Sequence, residues 1–359
     1  MKTLYKILLI ALLLPVSVAA GNFPDGKYTK EKQIQKSFSV NADAHLTIDN
    51  RYGNVDIVTW KENKIDIVVT ITTSGGNESD VQRQLDLITV DFTGNSSSVM
   101  ATTSITSKSR GWGFFGKSSN VSMQINYLVK MPVTNQLTVK NNYGAVSIDK
   151  LKGNASITCH YGKLIIGELL GRQNDLQFNY TNNSTITQAD NITIKANYSD
   201  FILEKSNEAV FSGNYTNSNF GNVKNLQFNS NYGRIIVTRA ESVIGKGNYI
   251  NKKFESIGKS INVQSRYGTL NIERLEKGFT DVDIDARYTT VKVGYHPDAS
   301  FQFSGMVAYA NIKGIDLLTL KTSIEQNTKK EYEGFYNSEK SKNHITIRSD
   351  YGGVQLTKL

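Results

Sequence analysis

Apolar residues recur along this chain in a short alternating pattern. Around Tyr143, apolar side chains stand six and four residues before the tyrosine and three and five residues after it, at Leu137, Val139, Val146 and Ile148. Alternation with a period of two is typical of a β-strand that buries one face. The pattern therefore predicts two short strands that meet at a corner on the tyrosine.

The pattern returns at nearly constant intervals. From Tyr143 to Tyr288 successive tyrosines are 18, 19, 18, 17, 17, 17, 18 and 21 residues apart, and further copies surround Tyr52 and Tyr351. A unit of two strands cannot bury its own apolar face, whereas stacked copies can. We therefore predict an all-β fold, a single-stranded parallel β-solenoid or β-helix with coils of about 18 residues, of either handedness.

The repeat is interrupted twice. Residues 61–135 predict an N-terminal strand insertion with longer strands, and one short helix capped by Ser79 with Val81, Leu85 and Ile88 on its buried side. Residues 325–343 are charged and predict a loop. The predicted organisation is a signal peptide over 1–20, a β segment with the first repeat and the insertion over 21–135, repeats over 136–300, and C-terminal strands, charged loop and last repeat over 301–359.

The first twenty residues have the composition of a secretory signal peptide. Lys2 and Lys6 precede a short apolar run, and small residues follow Pro15. We expect an exported protein without a transmembrane helix, located in the periplasm, at the cell surface or outside the cell. Removal of Lys2 and Lys6 with the signal peptide lowers the formal net charge from +9 to +7, which favours anionic partners only weakly, and export makes nucleic acid an unsuitable partner.

The repeated polar positions predict structural roles. If the strand runs straight to the corner, Tyr143 shares its face with Val139, so the tyrosines are expected to pack in the core or at the corner rather than to form an exposed ladder. A glycine follows many of them, as expected where a turn needs positive φ. The asparagines that precede many tyrosines predict a ladder of amides bonded from coil to coil.

Candidate chemistry is sparse. Cys159 stands beside His160, but its spacing from Ile157 predicts a buried side chain rather than a nucleophile. Asp281, Asp283 and Asp285 share one outer face about 7 Å apart, too widely spaced to chelate one Ca²⁺ directly. We expect no catalytic site, no metal and no cofactor.

One segment departs from the strand pattern. Residues 109–118 combine three aromatic residues with glycines and basic flanks: Arg110, Trp112, Phe114, Phe115 and Lys117. Such a segment predicts either a contact with a partner or a membrane surface, or a plug over one end of the repeat.

Several features together resemble a bacterial family of β-strand-repeat proteins labelled putative adhesins, of unknown function and common in Bacteroidetes-type envelopes. They are the N-terminal signal, an early Y-G-x-V-x-I phrase at Tyr52, the strand segment ending in Met131-Pro132, and the tyrosine repeats after Gln136. The resemblance implies a non-enzymatic envelope protein with an adhesin-like or scaffolding surface, whose partner is a glycan, an envelope component or a host surface component. A carbohydrate-active β-helix enzyme and an envelope-stress or signalling component are the alternatives.

Overall fold

The computed structural model describes residues 26–106 and 120–359. Within these ranges the chain forms strands almost throughout, with one α-helix and one 3-10 turn, and hydrogen bonds connect the strands into one sheet. The all-β prediction is confirmed.

Strands and helices follow one another closely along the chain. The N-terminal part contains β1 (Tyr28–Ser39), β2 (His45–Arg51), β3 (Val55–Trp60), β4 (Lys64–Gly75), α1 (Glu78–Asp86), β5 (Ile88–Gly94), β6 (Ser98–Ile105) and β7 (Val121–Pro132). The middle contains β8 (Gln136–Asn142), β9 (Ala145–Leu151), β10 (Ala155–His160), β11 (Lys163–Leu169), β12 (Asn174–Asn179), β13 (Ser184–Asn197), β14 (Asp200–Leu275) and β15 (Asp281–Tyr295). The C-terminal part contains β16 (Phe301–Ala308), β17 (Ile312–Lys313), the 3-10 turn (Ile315–Leu317), β18 (Thr319–Gln326), β19 (Lys329–Tyr336), β20 (His344–Asp350) and β21 (Val354–Lys358).

We call a tyrosine and the two strand segments that flank it a rung. Successive rungs pair in parallel: Leu137 lies opposite Ala155, Ala155 opposite Asn174, and Asn174 opposite Ile192. The segments after the tyrosine pair in the same way, as Val146 does with Leu164. The step between these paired residues is 18 or 19 positions, which follows the spacing of the tyrosines.

Alternate side chains of each rung form the core. Leu137, Val139, Val146 and Ile148 are all at most 2% exposed, as their alternation predicts. Equivalent residues of the other rungs join them in one hydrophobic cluster that extends from Val40 to Leu356. The strand faces were therefore assigned correctly from the sequence.

The insertion covers one end of the stack. The rung of Tyr52 lies beside the rung of Tyr143, because β2 pairs with β8 and β3 pairs with β9. On its other side β6 pairs with β2 and β7 pairs with β3, both in parallel, and β4 and β1 follow in antiparallel order. The predicted long strands are confirmed, and they continue the sheet beyond the first rung.

The predicted helix is present, but its start was assigned wrongly. Asn77, not Ser79, is the N-cap: its side-chain oxygen accepts a hydrogen bond from the backbone N–H of Asp80 at 3.1 Å. Val81 and Leu85 are buried as expected, whereas Ile88 is buried as the first residue of β5. The helix therefore begins two residues earlier than predicted, because an asparagine caps as well as a serine does.

The loop predicted over 325–343 is wrong for its first half. Residues 319–336 form an antiparallel hairpin of β18 and β19, and β19 pairs with β16. Tyr332 and Tyr336 are buried on the inner face of β19, while the exposed positions on either side of Tyr332 hold Glu331 and Glu333. The high charge of the outer face concealed this strand alternation in the sequence.

The last rung of the chain is not the last rung of the stack. β20 pairs in parallel with β15 on one side and with β16 on the other, so the rung of Tyr351 lies between those of Tyr288 and Tyr309. No helix in the parts of the chain described by the structure has the length and hydropathy to cross a membrane.

Candidate interaction surface: the tyrosine ladder

Each rung turns its corner on a tyrosine whose backbone is left-handed. The φ angles of these tyrosines lie between 50° and 63°, a region that L-residues other than glycine and asparagine seldom adopt. They are Tyr52, Tyr143, Tyr161, Tyr180, Tyr198, Tyr215, Tyr232, Tyr249, Tyr267, Tyr288, Tyr309 and Tyr351. The tyrosine itself therefore makes the turn, and of the glycines that follow these tyrosines only Gly233 and Gly268 have positive φ.

The left-handed corner turns the side chain outward. Tyr143 is 51% exposed, although Leu137 and Val139 on the preceding strand are buried. The tyrosines lie at the corners, which is one of the two expected placements, but they do not pack in the core. The expected inward orientation is wrong because it extended the strand alternation through a residue whose φ ends that alternation. The twelve tyrosines are between 39% and 59% exposed.

The exposed rings form one continuous stack, which we call the tyrosine ladder. Neighbouring ring centroids are 4.5–5.2 Å apart, and neighbouring ring planes differ by 0–12°. The order along the ladder is Tyr52, Tyr143, Tyr161, Tyr180, Tyr198, Tyr215, Tyr232, Tyr249, Tyr267, Tyr288, Tyr351 and Tyr309. With one ring per strand spacing, the ladder is about 50 Å long.

Stacking determines which parts of the rings a ligand can reach. The faces of an interior ring such as Tyr198 are covered by Tyr180 and Tyr215, whose centroids lie 5.0 and 4.9 Å away. Its outer edge and its hydroxyl stay in contact with solvent. A ring edge carries partial positive charge, and the hydroxyl is a hydrogen-bond donor. The ladder therefore presents a regular row of donors rather than aromatic faces.

Two tyrosines of the ladder have raised pKa values. Partial burial, followed by the neighbouring Tyr267 and Tyr232, raises the pKa of Tyr249 above its usual value near 10. Partial burial and the neighbouring Tyr309 and Tyr288 raise the pKa of Tyr351 in the same direction. At these two positions the neighbouring rings oppose ionisation, so the hydroxyls of Tyr249 and Tyr351 keep their protons and their capacity to donate.

A second row of side chains accompanies the ladder. Amide hydrogen bonds of 2.9–3.1 Å link Asn197 to Asn179, Asn214 to Asn197, Asn231 to Asn214, and Asn248 to Asn231. His160 extends this row, since its Nδ1 lies 3.1 Å from Nδ2 of Asn179. The predicted ladder of asparagines is confirmed over these five residues.

Replacing one interior ring should measure the contribution of stacking to stability. We expect Tyr198→Asn to lower the free energy of unfolding by about 1–2 kcal/mol. The variant loses the ring-stacking contacts with both neighbouring tyrosines, while asparagine tolerates the left-handed backbone. Tyr198→Phe keeps both stacks and should change it by less than about 0.5 kcal/mol. Urea denaturation followed by circular dichroism measures both values, and equal effects of the two variants would contradict the stacking argument.

Candidate catalytic and metal-binding groups are not assembled into a site. Cys159 is buried, as predicted, and burial raises the pKa of its thiol to about 11. Asp283 forms a salt bridge with Arg348, whose guanidinium nitrogen lies 2.7 Å from the carboxylate. Across residues 26–106 and 120–359, no three His, Cys, Asp or Glu side chains are placed to share a metal ion.

The burial of Cys159 predicts slow reaction with thiol reagents. We expect an aromatic disulfide reagent at pH 8 to label Cys159 at least about 100-fold more slowly in the native protein than in urea, because both access and the thiolate fraction are low. The released thiolate chromophore gives the rate. Native labelling as fast as that of the unfolded chain would mean that the corner beside Tyr161 opens readily.

The aromatic segment identified from the sequence lies outside the described residues. Arg110, Trp112, Phe114, Phe115 and Lys117 all fall between residues 107 and 119, so their proposed contact with a partner or a membrane stays a prediction. Sequence reasoning also missed Tyr309, although Phe303 six residues before it and Ile312 three residues after it fit the repeat.

Comparison with known proteins gives structural neighbours at low identity. No family model matches the chain, and no curated protein matches it. Its structural neighbours include proteins described as putative adhesins. Their TM-scores are too low to carry a functional argument.

Three of the structural neighbours illustrate the range of identity, TM-score and coverage. A putative cell adhesion protein from Clostridium sporogenes is 11% identical, with a TM-score of 0.19 and coverage of 92% of this chain and 100% of its own. A putative adhesin from Parabacteroides merdae is 11% identical, with a TM-score of 0.37 and coverage of 74% and 97%. A putative lipid binding protein from Parabacteroides distasonis is 9% identical, with a TM-score of 0.33 and coverage of 92% and 98%.

Proposed function

We propose that the protein is a non-enzymatic, exported envelope protein whose parallel rungs form a β-solenoid and whose tyrosine ladder is its interaction surface. The role is adhesin-like or scaffolding. The observation that carries this proposal is the ladder itself, a continuous exposed row of twelve aromatic side chains.

The size of the ladder supports a role in binding. The largest exposed apolar patch of an ordinary monomer covers about 300–600 Å² and often has a function. Twelve tyrosines, each about half exposed, present on the order of 1,000 Å² in one strip, of which the hydroxyls are the polar part. The backbone strain at twelve left-handed tyrosines points the same way, because a strained conformation repeated at every corner is maintained against a cost of about 1 kcal/mol or more at each.

A binding experiment tests the proposal. Labelled protein is incubated with isolated envelopes of the cells that produce it, and saturable binding is measured by competition with unlabelled protein. In the ladder variant Tyr161, Tyr198 and Tyr232 are replaced by asparagine, which interrupts the stack at alternate rungs without opposing the left-handed backbone. We expect this variant to lose at least about 10-fold in affinity, since three hot-spot aromatics are removed.

A matched control removes exposed side chains elsewhere. Ile165, Ile202 and Ile244 are 42–61% exposed and do not belong to the ladder, so the variant with three asparagines at these positions should bind within about 2-fold of the unchanged protein. Circular dichroism confirms that each variant is folded. The proposal is abandoned if the folded ladder variant binds envelopes as tightly as the unchanged protein.

Location is tested separately. The proposal places the protein outside the cytoplasm, and the turn between β18 and β19 at Asn327 is an exposed site for protease. Cleavage on intact cells indicates the cell surface, and protection that ends when the outer membrane is permeabilised indicates the periplasm. Protection that ends only after lysis of the inner membrane contradicts export.

A further inference from the structure

A row of positive charge runs along one side of the tyrosine ladder. Positions one and three residues before a ladder tyrosine face outward, on the same side as the asparagine row. Seven of these positions hold exposed cations, and five of the seven form no salt bridge within the described residues: Arg51, Lys140, Lys195, Lys246 and Arg266. We call these five residues the cationic row.

The cationic row keeps most of its charge unpaired, although Asp49 of β2 lies opposite Lys140 of β8. Within the ranges that the structure describes, none of its five side chains forms a salt bridge. At equivalent positions, Arg287 forms a salt bridge with Asp350, and Arg348 forms one with Asp283. Carboxylates occupy three of the outward positions, Asp49, Asp285 and Asp350, so cations exceed them by seven to three. The strip beside the ladder therefore carries an excess of positive charge along much of its length.

The same strip offers hydrogen-bond donors between its charges. The amides of the asparagine row lie between the ladder and the lysines. Thr158, Gln177 and Lys195 line a shallow depression of about 290 Å³ on this face, together with Asp175 and Thr193. Phenol hydroxyls, amides and cations all favour a ligand that is rich in oxygen acceptors and negatively charged.

The geometry favours an extended polymer. The ladder repeats one donor at each rung over about 50 Å, and a linear chain with regularly spaced acceptors can contact many rungs at once. Nucleic acids bind such surfaces by stacking bases on free aromatic faces, but the interior faces of this ladder are covered by neighbouring rings. Carboxylate-bearing sugars need only the edges, hydroxyls and cations that are exposed.

We propose that the tyrosine ladder and the cationic row together bind a linear acidic polysaccharide that lies along the stacking axis. This rests on the proposed function of the ladder as an interaction surface. Because many weak contacts act in series, affinity increases with the length of the polysaccharide and decreases with salt.

The probe is polygalacturonate, a linear polymer of uronic acids, as fragments shorter than the ladder and as fragments of its full length. Isothermal titration calorimetry with the whole protein at low and moderate salt measures the affinity. We expect the long fragments to bind at least about 10-fold more tightly than the short ones, with neutral dextran as a control that does not bind.

Two charge variants test the site. In the first, each residue of the cationic row is replaced by glutamine. In the second, five exposed lysines elsewhere are replaced by glutamine, so that the net charge changes equally; they are Lys36, Lys61, Lys152, Lys224 and Lys342. Each exposed ion pair contributes a factor of roughly 1.5 to 5, so the first variant should bind at least about 10-fold more weakly and the second should stay within about 2-fold.

Three results would overturn the inference. They are absence of polygalacturonate binding, equal loss in both charge variants, and tighter binding of single-stranded DNA or of vesicles containing anionic lipid. Failure here is distinguishable from failure of the proposed function. If the ladder variant loses envelope binding while polygalacturonate does not bind, the ladder is an interaction surface for a different ligand.

Discussion

The variant Lys252→Met is expected to be more stable than the unchanged protein by about 2–3 kcal/mol at pH 7. Lys252 occupies a core position, three residues after Tyr249, where neighbouring rungs have Ile235 and Leu270. Its side chain is fully buried, and its ammonium nitrogen donates one hydrogen bond of 2.9 Å to the carbonyl of Ile250. Burial lowers the pKa of Lys252 to about 8, so protonation at neutral pH costs the folded state about 3 kcal/mol relative to the unfolded state.

The same pKa shift predicts how stability changes with pH. Because the folded-state pKa is below the unfolded value near 10.5, the destabilisation is fully present below pH 8 and diminishes as pH rises from 8 to 10.5. Urea denaturation at pH 7 and pH 9.5 measures the free energy of unfolding. We expect the difference between Lys252→Met and the unchanged protein to shrink by about 2 kcal/mol over this interval.

The difference between the two proteins isolates Lys252 from other titrating groups. Burial raises the pKa of Tyr295 and of Tyr332 to about 12, and stability from such groups is lost only as pH rises above 10. Lys224→Met, at an exposed position, should change stability by less than about 0.5 kcal/mol. A constant difference from pH 7 to pH 9.5 would show that Lys252 is not a buried charge.

The second large effect on stability is expected from a substitution at a glycine beside the tyrosine ladder. A Cβ atom on Gly162 would lie 2.0 Å from the carbonyl oxygen of Gly144 in the neighbouring rung and 3.0 Å from Sγ of Cys159. The carbonyl stands directly before β9, whose first residue Ala145 pairs with Lys163 of β11, so it cannot move without disturbing that parallel pairing. We expect Gly162→Ala to lower the free energy of unfolding by about 3 kcal/mol.

Gly278 provides the matched control for this prediction. No atom lies within 4 Å of a Cβ placed on Gly278, so Gly278→Ala should change stability by less than about 1 kcal/mol. Thermal and urea denaturation of both variants give the comparison. If Gly162→Ala is as stable as Gly278→Ala, the rungs at this corner are not packed as closely as the structure shows.

The candidate site could be predicted only in part. The tyrosines, their spacing and the asparagine row can be identified in the sequence, because each is a local repeat. The orientation of the tyrosines cannot, since the strand pattern around Tyr143 predicts an inward side chain and only the left-handed φ turns it outward. The cationic row could not be predicted either, because Lys140 and Arg266 belong to one strip only when the rungs are stacked.

The sequence by itself determined the strands, the buried face of each strand and the interval between rungs. Alternation of apolar side chains is a local property, and the copies around Tyr52 and Tyr351 could be identified as rungs without knowing where they pack. The tertiary structure decided the order of the rungs at the two ends. Every rung presents equivalent edges, so local pattern cannot specify that the rung of Tyr351 pairs between those of Tyr288 and Tyr309, or that the rung of Tyr52 pairs across 91 residues with that of Tyr143. These contacts depend on long-range pairing, which is fixed by the closure of the whole stack.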